Sequence, residues 1–545
     1  MKQYGIGMDF GSLSARAVLV RLCDGTPMPK SCVYEYPHGV MTSLNGTPLP
    51  KSYALQDPSD YLSALEFCLS RVAEQNGVDP SEIASIGIDF TDATVLPVDK
   101  FGTPLCLDPK FEQNPHAWVK LWKHHGGEQY VEEMEEVARK VGDDLLSYSG
   151  GKISCELTYP KILETLRQAP EIYEATDLFM HAGDFVARNL TGCFCHSSTY
   201  ASLKEHRKPN GLYPSSAYFA ALDPRMEHLI GTKISEEITE LCKSVGTLTP
   251  EWSARTGLPC DVVVATPVVD AHAPYPIAGI EDGLLLLALG TSACACLLTD
   301  SGAPIYGVMS QGFDIAVPNK NSYDAGISAM GDLFAWFVNN CVPSSYERAA
   351  AEAGMNIHGY LCALAQKQAP GQHGLLALDW WNGSRSVLCD NRLSGLLLGM
   401  SLSTKPEDIY RALMETCAYA LRRVIEMYEA GGAKVKKIMA TGGISKKNPL
   451  MMQICADVFG KEIRVLASDE PTALGSAAYG AVACGYYASL EEASAHMKGA
   501  VSAIYKPTAE GAAAYEELYR EYLRLCDYFG QGENPIMKKL YRGHL

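Results

Sequence analysis

Two hairpins dominate the hydrophobic pattern of this chain. Tyr4 to Met8 and Ala15 to Leu22 read as strands around the turn Asp9-Phe10-Gly11-Ser12-Leu13-Ser14. Leu284 to Leu289 and Ala293 to Leu298 read as strands around Gly290-Thr291-Ser292. The same order of strand, Gly–Ser turn and strand occurs twice, which points to duplicated architecture. Other short apolar runs also end in polar residues. Ile83 to Ile88 leads into Asp89-Phe90-Thr91-Asp92, and Val262 to Val264 leads toward Val269-Asp270-Ala271-His272. Lys437 to Thr441 leads into Gly442-Gly443, and Arg464 to Ala467 is a further strand.

Between these runs the period changes to that of helices. Ser59 to Asn76 places Leu62, Leu65, Leu69 and Val72 on one face. Pro406 to Tyr428 does the same with Leu413, Cys417, Leu421 and Val424, opened by a capping box from Thr404 and Glu407 and closed by Gly431-Gly432. Asn114 to His125 is expected to be helical, with Trp118 and Trp122 on one face in a core-like pattern. The Ala- and Gly-rich run Ala473 to Gly485 suits close packing between domains. Strands alternating with helices imply an α/β fold whose ligands sit at the carboxyl ends of the strands.

The length of 545 residues exceeds one ordinary core and predicts two large domains. A composition shift at Gly279 to Gly283 divides the chain into residues 1–281 and 282–490, followed by a helical extension over 491–545. A net charge of -17 disfavours nucleic acid as a partner, but local backbone dipoles can still hold a nucleotide. The 18 cysteines are scattered, many inside apolar runs, which fits a reduced compartment rather than a disulfide framework. No leader pattern and no apolar run near the ~20 residues of a membrane span stands out. The expectation is a soluble cytoplasmic protein with small-molecule partners and no membrane partner; a homo-oligomer is left open.

The turns carry the chemistry. Gly11, Ser12 and Ser14 in one hairpin, and Gly290, Thr291 and Ser292 in the other, offer backbone N–H and hydroxyl donors for phosphates. Asp9 suits a hydrated Mg²⁺. Asp270, at a strand end, can take a proton. The glycines Gly442 and Gly443 allow a flat base to approach the backbone, and Asn448-Pro449 caps the next helix. Gly5-Ile6-Gly7-Met8-Asp9-Phe10-Gly11 imitates a dinucleotide fingerprint, but its last spacing is one residue too long and no helix follows. Gly192-Cys193-Phe194-Cys195-His196 lacks a second ligand pair and fails the structural zinc pattern.

Taken in order, these segments resemble the FGGY carbohydrate kinases of the actin/Hsp70/sugar-kinase superfamily. The most specific are Asp89-Phe90-Thr91, Asn114-Pro115-His116 with Trp122-Lys123, Leu378-Asp379-Trp380-Trp381-Asn382-Gly383 and Thr441-Gly442-Gly443-Ile444. Gly326 to Trp336 adds to them, and the C-terminal signature fits Gly395 to Glu415 with Leu413 as a mild departure. The resemblance implies two ribonuclease-H-like domains around an ATP and sugar cleft, and ATP with Mg²⁺ held through Asp9. It makes Asp270 the catalytic base, and Gly11, Ser12, Ser14, Gly290, Thr291, Ser292, Gly442, Gly443 and Asn448 the nucleotide site. The sugar would meet Trp122, Lys204, Asp270, Asp324 and, by position, Asp92. The reaction implied is phosphorylation of a ketopentose at its terminal hydroxyl, L-ribulose to L-ribulose 5-phosphate in L-arabinose catabolism. Two positions depart from the pattern: Glu is usual where this chain has Asp324, and a small residue where it has Asp92. Both bear on which sugar is taken, so D-ribulose, xylulose or glycerol remain alternatives, as does a non-kinase ATPase of the same superfamily.

Overall fold

Two seven-stranded sheets organise the molecule, each built around one of the two hairpins. The computed structural model describes residues 2–541. Met1 and residues 542–545, the outer ends of the first and last expected spans, lie outside them. In the first sheet the strands run Ser244–Thr247, Val263–Ala265, Ile83–Phe90, Tyr4–Phe10, Ser14–Arg21 and Cys32–Glu35, with Val268–Val269 also pairing Ile83–Phe90. In the second they run Ser310–Phe313, Asn321–Ile327, Ala293–Thr299, Leu284–Leu289, Lys437–Thr441, Ile463–Leu466 and Val501–Tyr505. Each hairpin is antiparallel, and its first strand pairs in parallel with the next strand of its sheet. The central strands are almost continuously buried, as sheets covered on both faces require.

The helix Pro471–Ala483 joins the two halves. It lies in sequence between the strands Ile463–Leu466 and Val501–Tyr505 of the second sheet but packs on the central strands of the first. A β-carbon on Gly7 would lie 1.7 Å from the Ala473 carbonyl oxygen, and one on Gly87 1.7 Å from that of Ser476. A β-carbon on Gly475 would lie 1.8 Å from the Ala273 oxygen. Backbone therefore touches backbone at three places, and only glycine permits it. Ser476 Oγ donates to Asp89 at 2.6 Å, inside this contact.

Four expectations are corrected. Asn114 to His125 is not a helix: a single 3-10 turn, Pro115–Ala117, gives way to the strand Val119–Lys120, which pairs Leu55–Gln56. Strand pairing and the burial of Lys120 against Glu164, 2.6 Å away, override the helical spacing. The two tryptophans consequently separate, Trp118 Nε1 donating to the Glu112 carbonyl and Trp122 Nε1 to Ser12 Oγ. The strands Tyr4–Phe10 and Ile83–Phe90 each run two residues further than the apolar pattern, so Asp9 and Asp89 stand within the ladder as register partners. The capping box of Pro406–Ala430 is shifted by one: Asp408 accepts from the Lys405 N–H at 2.8 Å, while Glu407 accepts from the Tyr346 hydroxyl. The region after 490 is not all helical, because Val501–Tyr505 adds an edge strand to the second sheet before the helix Ala509–Gly530. Among the described residues all eighteen cysteines are free thiols, and no helix is long and apolar enough to cross a membrane.

Candidate active site

Four carboxylates gather at the carboxyl ends of three neighbouring parallel strands. Asp9 and Asp89 are register partners. Val268–Val269 pairs beside Asp89 and Phe90, and the Asp270 N–H then donates to the Phe90 carbonyl at 3.0 Å. Asp92 lies in the turn just beyond. Such crowding has an electrostatic result. Burial, reinforced by the charges of Asp9 and Asp92, pushes the Asp270 carboxyl up to about 8. Burial, followed by Asp9, also lifts the Asp89 carboxyl well above the ordinary carboxylate range. Asp9 is further tied to Arg16, whose Nε stands 3.3 Å from Oδ2 and whose Nη1 reaches Glu470 at 2.7 Å.

Lys204 ends the short helix Ser198–Lys204 and is buried. Its Nζ pairs with Asp92 at 2.5 Å and reaches Ser310 Oγ at 3.5 Å. Burial opposes the ammonium charge, but Asp92 and Asp324 outweigh it and raise its pKa. Asp324, on the strand Asn321–Ile327, accepts from or shares a proton with His272 Nε2 at 2.8 Å. Burial alone would raise the Asp324 carboxyl, yet His272 and Lys204 hold it below its ordinary value. Trp122 is anchored on the first hairpin through its 3.0 Å bond to Ser12, whose carbonyl also accepts from Gln56. Asp92, Lys204, Asp270 and Asp324 are thus brought into one charged cluster by two sheets and a helix far apart in sequence.

The residues expected to meet the nucleotide lie on the second sheet, on the helices that follow it and at the first hairpin turn. Gly11 N–H closes its turn on the Ser14 carbonyl at 2.9 Å, and Gly290 N–H closes its own on Ser292 at 3.0 Å. Thr291 and Gly290 carbonyls accept from Met330 and Gly331 at the start of the helix Gly331–Cys341, which pins the second turn. Gly442 adopts φ +90°, and a β-carbon there would lie 2.4 Å from the Leu289 oxygen, so it is locked beside the second hairpin. Gly443 has open space where a side chain would be. Asn448 caps the helix Pro449–Phe459 by accepting from Met451 N–H, so its carboxamide oxygen is already engaged.

Against this geometry, two family models match the chain. The FGGY family of carbohydrate kinases, N-terminal domain, matches residues 4–274, and the C-terminal domain of the same family matches residues 285–484. The chain belongs to the FGGY family of carbohydrate kinases. This FGGY kinase is 44% identical to the ribulokinase of Geobacillus thermodenitrificans, over 99% of its own length and 97% of that protein. It is 43% identical, with the same coverage, to the ribulokinase of Anoxybacillus flavithermus. Among solved structures, gluconate kinase from Lactobacillus acidophilus superposes with a TM-score of 0.80 at 17% identity, covering 97% of this chain and 98% of that one. That likeness shows the fold, the two-domain fold of the sugar kinases.

Sequence reading of this kinase assigned no role to three residues, Arg385, Glu156 and His272, that the structure places beside the expected site residues. Arg385, quoted only as part of a polar loop, packs within 6.0 Å of the Trp122 ring and 3.7 Å from Glu156. Burial opposes charge on Glu156, but Arg385 and His125 outweigh it and hold the carboxyl down to about 2. His272 stands two residues after Asp270 and contacts Asp324, a pairing across 52 residues for which no local pattern exists. Only the polar spacing of Trp381-Asn382-Gly383-Ser384-Arg385 could have flagged Arg385.

Proposed function

We propose that this FGGY kinase transfers the γ-phosphoryl group of ATP to the terminal hydroxyl of a ketopentose, L-ribulose, giving L-ribulose 5-phosphate and ADP. The observation that carries this reading is Asp270, a strand-end carboxylate whose proton affinity is raised to about 8. A base of that strength is matched to neutral pH. The near full-length likeness to proteins named ribulokinase supports the choice of sugar.

In this reading the sugar lies against Trp122 with its hydroxyls on Lys204, Asp92 and Asp324. Asp270 accepts the proton of the terminal hydroxyl as its oxygen bonds to the γ-phosphorus and the bond to the β-phosphate oxygen breaks. The proton then passes from Asp270 to solvent. The N–H and hydroxyl groups of Gly11, Ser12, Ser14, Gly290, Thr291 and Ser292 orient the polyphosphate. Gly442 and Gly443 border the adenine, and Asn448 shapes that wall through its cap. Most of the acceleration comes from positioning and charge stabilisation. The oxygen donors fit a hard cation: Asp9 presents a carboxylate, and Asp89 Oδ1 is buried without a partner. Asp9 would hold Mg²⁺, through water, and the ion would offset phosphate charge.

The test is ADP release from Mg·ATP with L-ribulose, D-ribulose, L-xylulose, D-xylulose, ribitol and glycerol. A preference for L-ribulose in kcat/KM supports the proposal. Preference for another sugar transfers the specificity to Asp92 and Asp324, the two departures from the family pattern. ADP release independent of every sugar refutes the kinase reading of the site.

A further inference from the structure

Around Asp324 lies a set of ligating atoms, two of which, on His272 and Cys296, have no role in the phosphoryl transfer proposed above. His272, Cys296 and Asp324 are all buried, and one ligating atom of each lies within 4.8 Å of the others. Two of the three are set by the sheet itself. Cys296 on Ala293–Thr299 and Asp324 on Asn321–Ile327 are cross-strand partners, which puts their side chains on one face. The third is fixed from outside the sheet. His272 N–H donates to Val269, and its ring stacks on Tyr275, with centroids 6.1 Å apart and planes 9° apart. The Tyr275 hydroxyl in turn donates to the Cys296 carbonyl at 2.7 Å. All three ligands therefore share one rigid frame.

We propose that His272, Cys296 and Asp324 form a binding site for a thiophilic divalent cation of the zinc class, and that its occupancy competes with the sugar. The donor set of one imidazole, one thiolate and one carboxylate is that of zinc sites that keep a fourth position open. Bonds of about 2.0–2.3 Å place ligands about 3.2–3.8 Å apart, so the His272–Asp324 pair opens by only a few tenths of an ångström from 2.8 Å. His272 Nδ1 is buried without a partner, so the imidazole can carry its proton there and turn the Nε2 lone pair to the ion. The thiol must give up its proton, releasing one proton to solvent for each ion bound. Burial, then the charges of Asp324 and Asp92, hold the Cys296 thiol protonated in the empty site; the same carboxylates favour the divalent charge that replaces the proton. Asp324 also lies in the field of Lys204, its neighbour in the proposed sugar site. Once bound to metal, Asp324 no longer receives a sugar hydroxyl.

The competition rests on the proposed sugar role of Asp324; the metal site does not. Titration of the substrate-free enzyme with Co²⁺ reads the site directly. Expected is a thiolate-to-cobalt charge-transfer band saturating near one ion per chain, absent in Cys296→Ala. Zn²⁺ should raise the apparent KM for L-ribulose without lowering kcat at saturating sugar. Cys296→Ala should keep its basal activity and need at least about tenfold more Zn²⁺ for the same effect. If that variant does not fold, Cys296→Val, which refills the volume, carries the same comparison. A parent without the band, or a band and a Zn²⁺ sensitivity unchanged by loss of Cys296, overturns the site. A Cys296-dependent band with inhibition indifferent to sugar keeps the metal site and overturns its competition with the sugar.

Discussion

Replacing Asp270 by Asn should make the enzyme more stable and nearly inactive at once. The Asp270 carboxyl is raised from 3.8 to about 8 by burial beside Asp9 and Asp92. Between those two values the folded state holds a proton that the unfolded chain releases. Stability at this position is therefore fullest near the unfolded pKa and falls as pH rises through the folded one. At about 1.4 kcal/mol per unit, the rise from 3.8 to about 8 sets a ceiling of about 6 kcal/mol in alkaline solution. Asp270 keeps partial exposure to the cleft, so solvent screening reduces that to roughly 1–3 kcal/mol. The amide keeps the shape and carries no charge. Thermal melts of the substrate-free parent and Asp270→Asn should coincide near pH 4 and diverge toward pH 8, the variant gaining a few degrees. Turnover should fall by about 10²–10⁴-fold at every pH. A pH-independent difference in melting temperature would refute the electrostatic argument. Turnover within tenfold of the parent would refute Asp270 as the base.

Other outcomes follow from the same contacts. Gly475→Ala forces a methyl to within 1.8 Å of the Ala273 oxygen, so a loss of about 3 kcal/mol or no soluble protein is expected; a melting temperature within one or two degrees of the parent contradicts the close approach. Lys204→Met strands the Asp92 and Asp324 carboxylates and should cost about 3–5 kcal/mol, measured by denaturant unfolding. The double variant Asp92→Ala/Lys204→Met should recover part of that loss, and strict additivity would mean that the pair is not coupled. Glu205 bridges His181 and His196 at 3.1 and 3.0 Å. Burial works against both charges, but their attraction holds Glu205 down to about 2 and lifts His196 to about 9. This bridge stabilises the protein across neutral pH, losing its effect as pH falls toward 2 and as it rises through 9. Glu205→Gln should flatten both limbs of the pH–stability curve.

Much of the frame was legible in one dimension, because strands and helices leave local periodicities. The paired hairpins, the helices Pro58–Gln75 and Pro406–Ala430, and the glycine turn at 442–443 follow from apolar spacing and turn chemistry within a few residues. Asp270 was legible because a lone acid ended a short apolar run. The tertiary structure alone decided what those residues are worth. Trp122 looked like half of a helical core pair, and only strand pairing at Val119–Lys120 turned it to Ser12. Nothing near Asp92 announces Lys204, and nothing near His272 announces Cys296 and Asp324. Charge coupling and ligand geometry act over a few ångströms of space, whereas sequence records only distance along the chain. A proton affinity near 8 on Asp270 exists only once three strands have brought their acids to one edge.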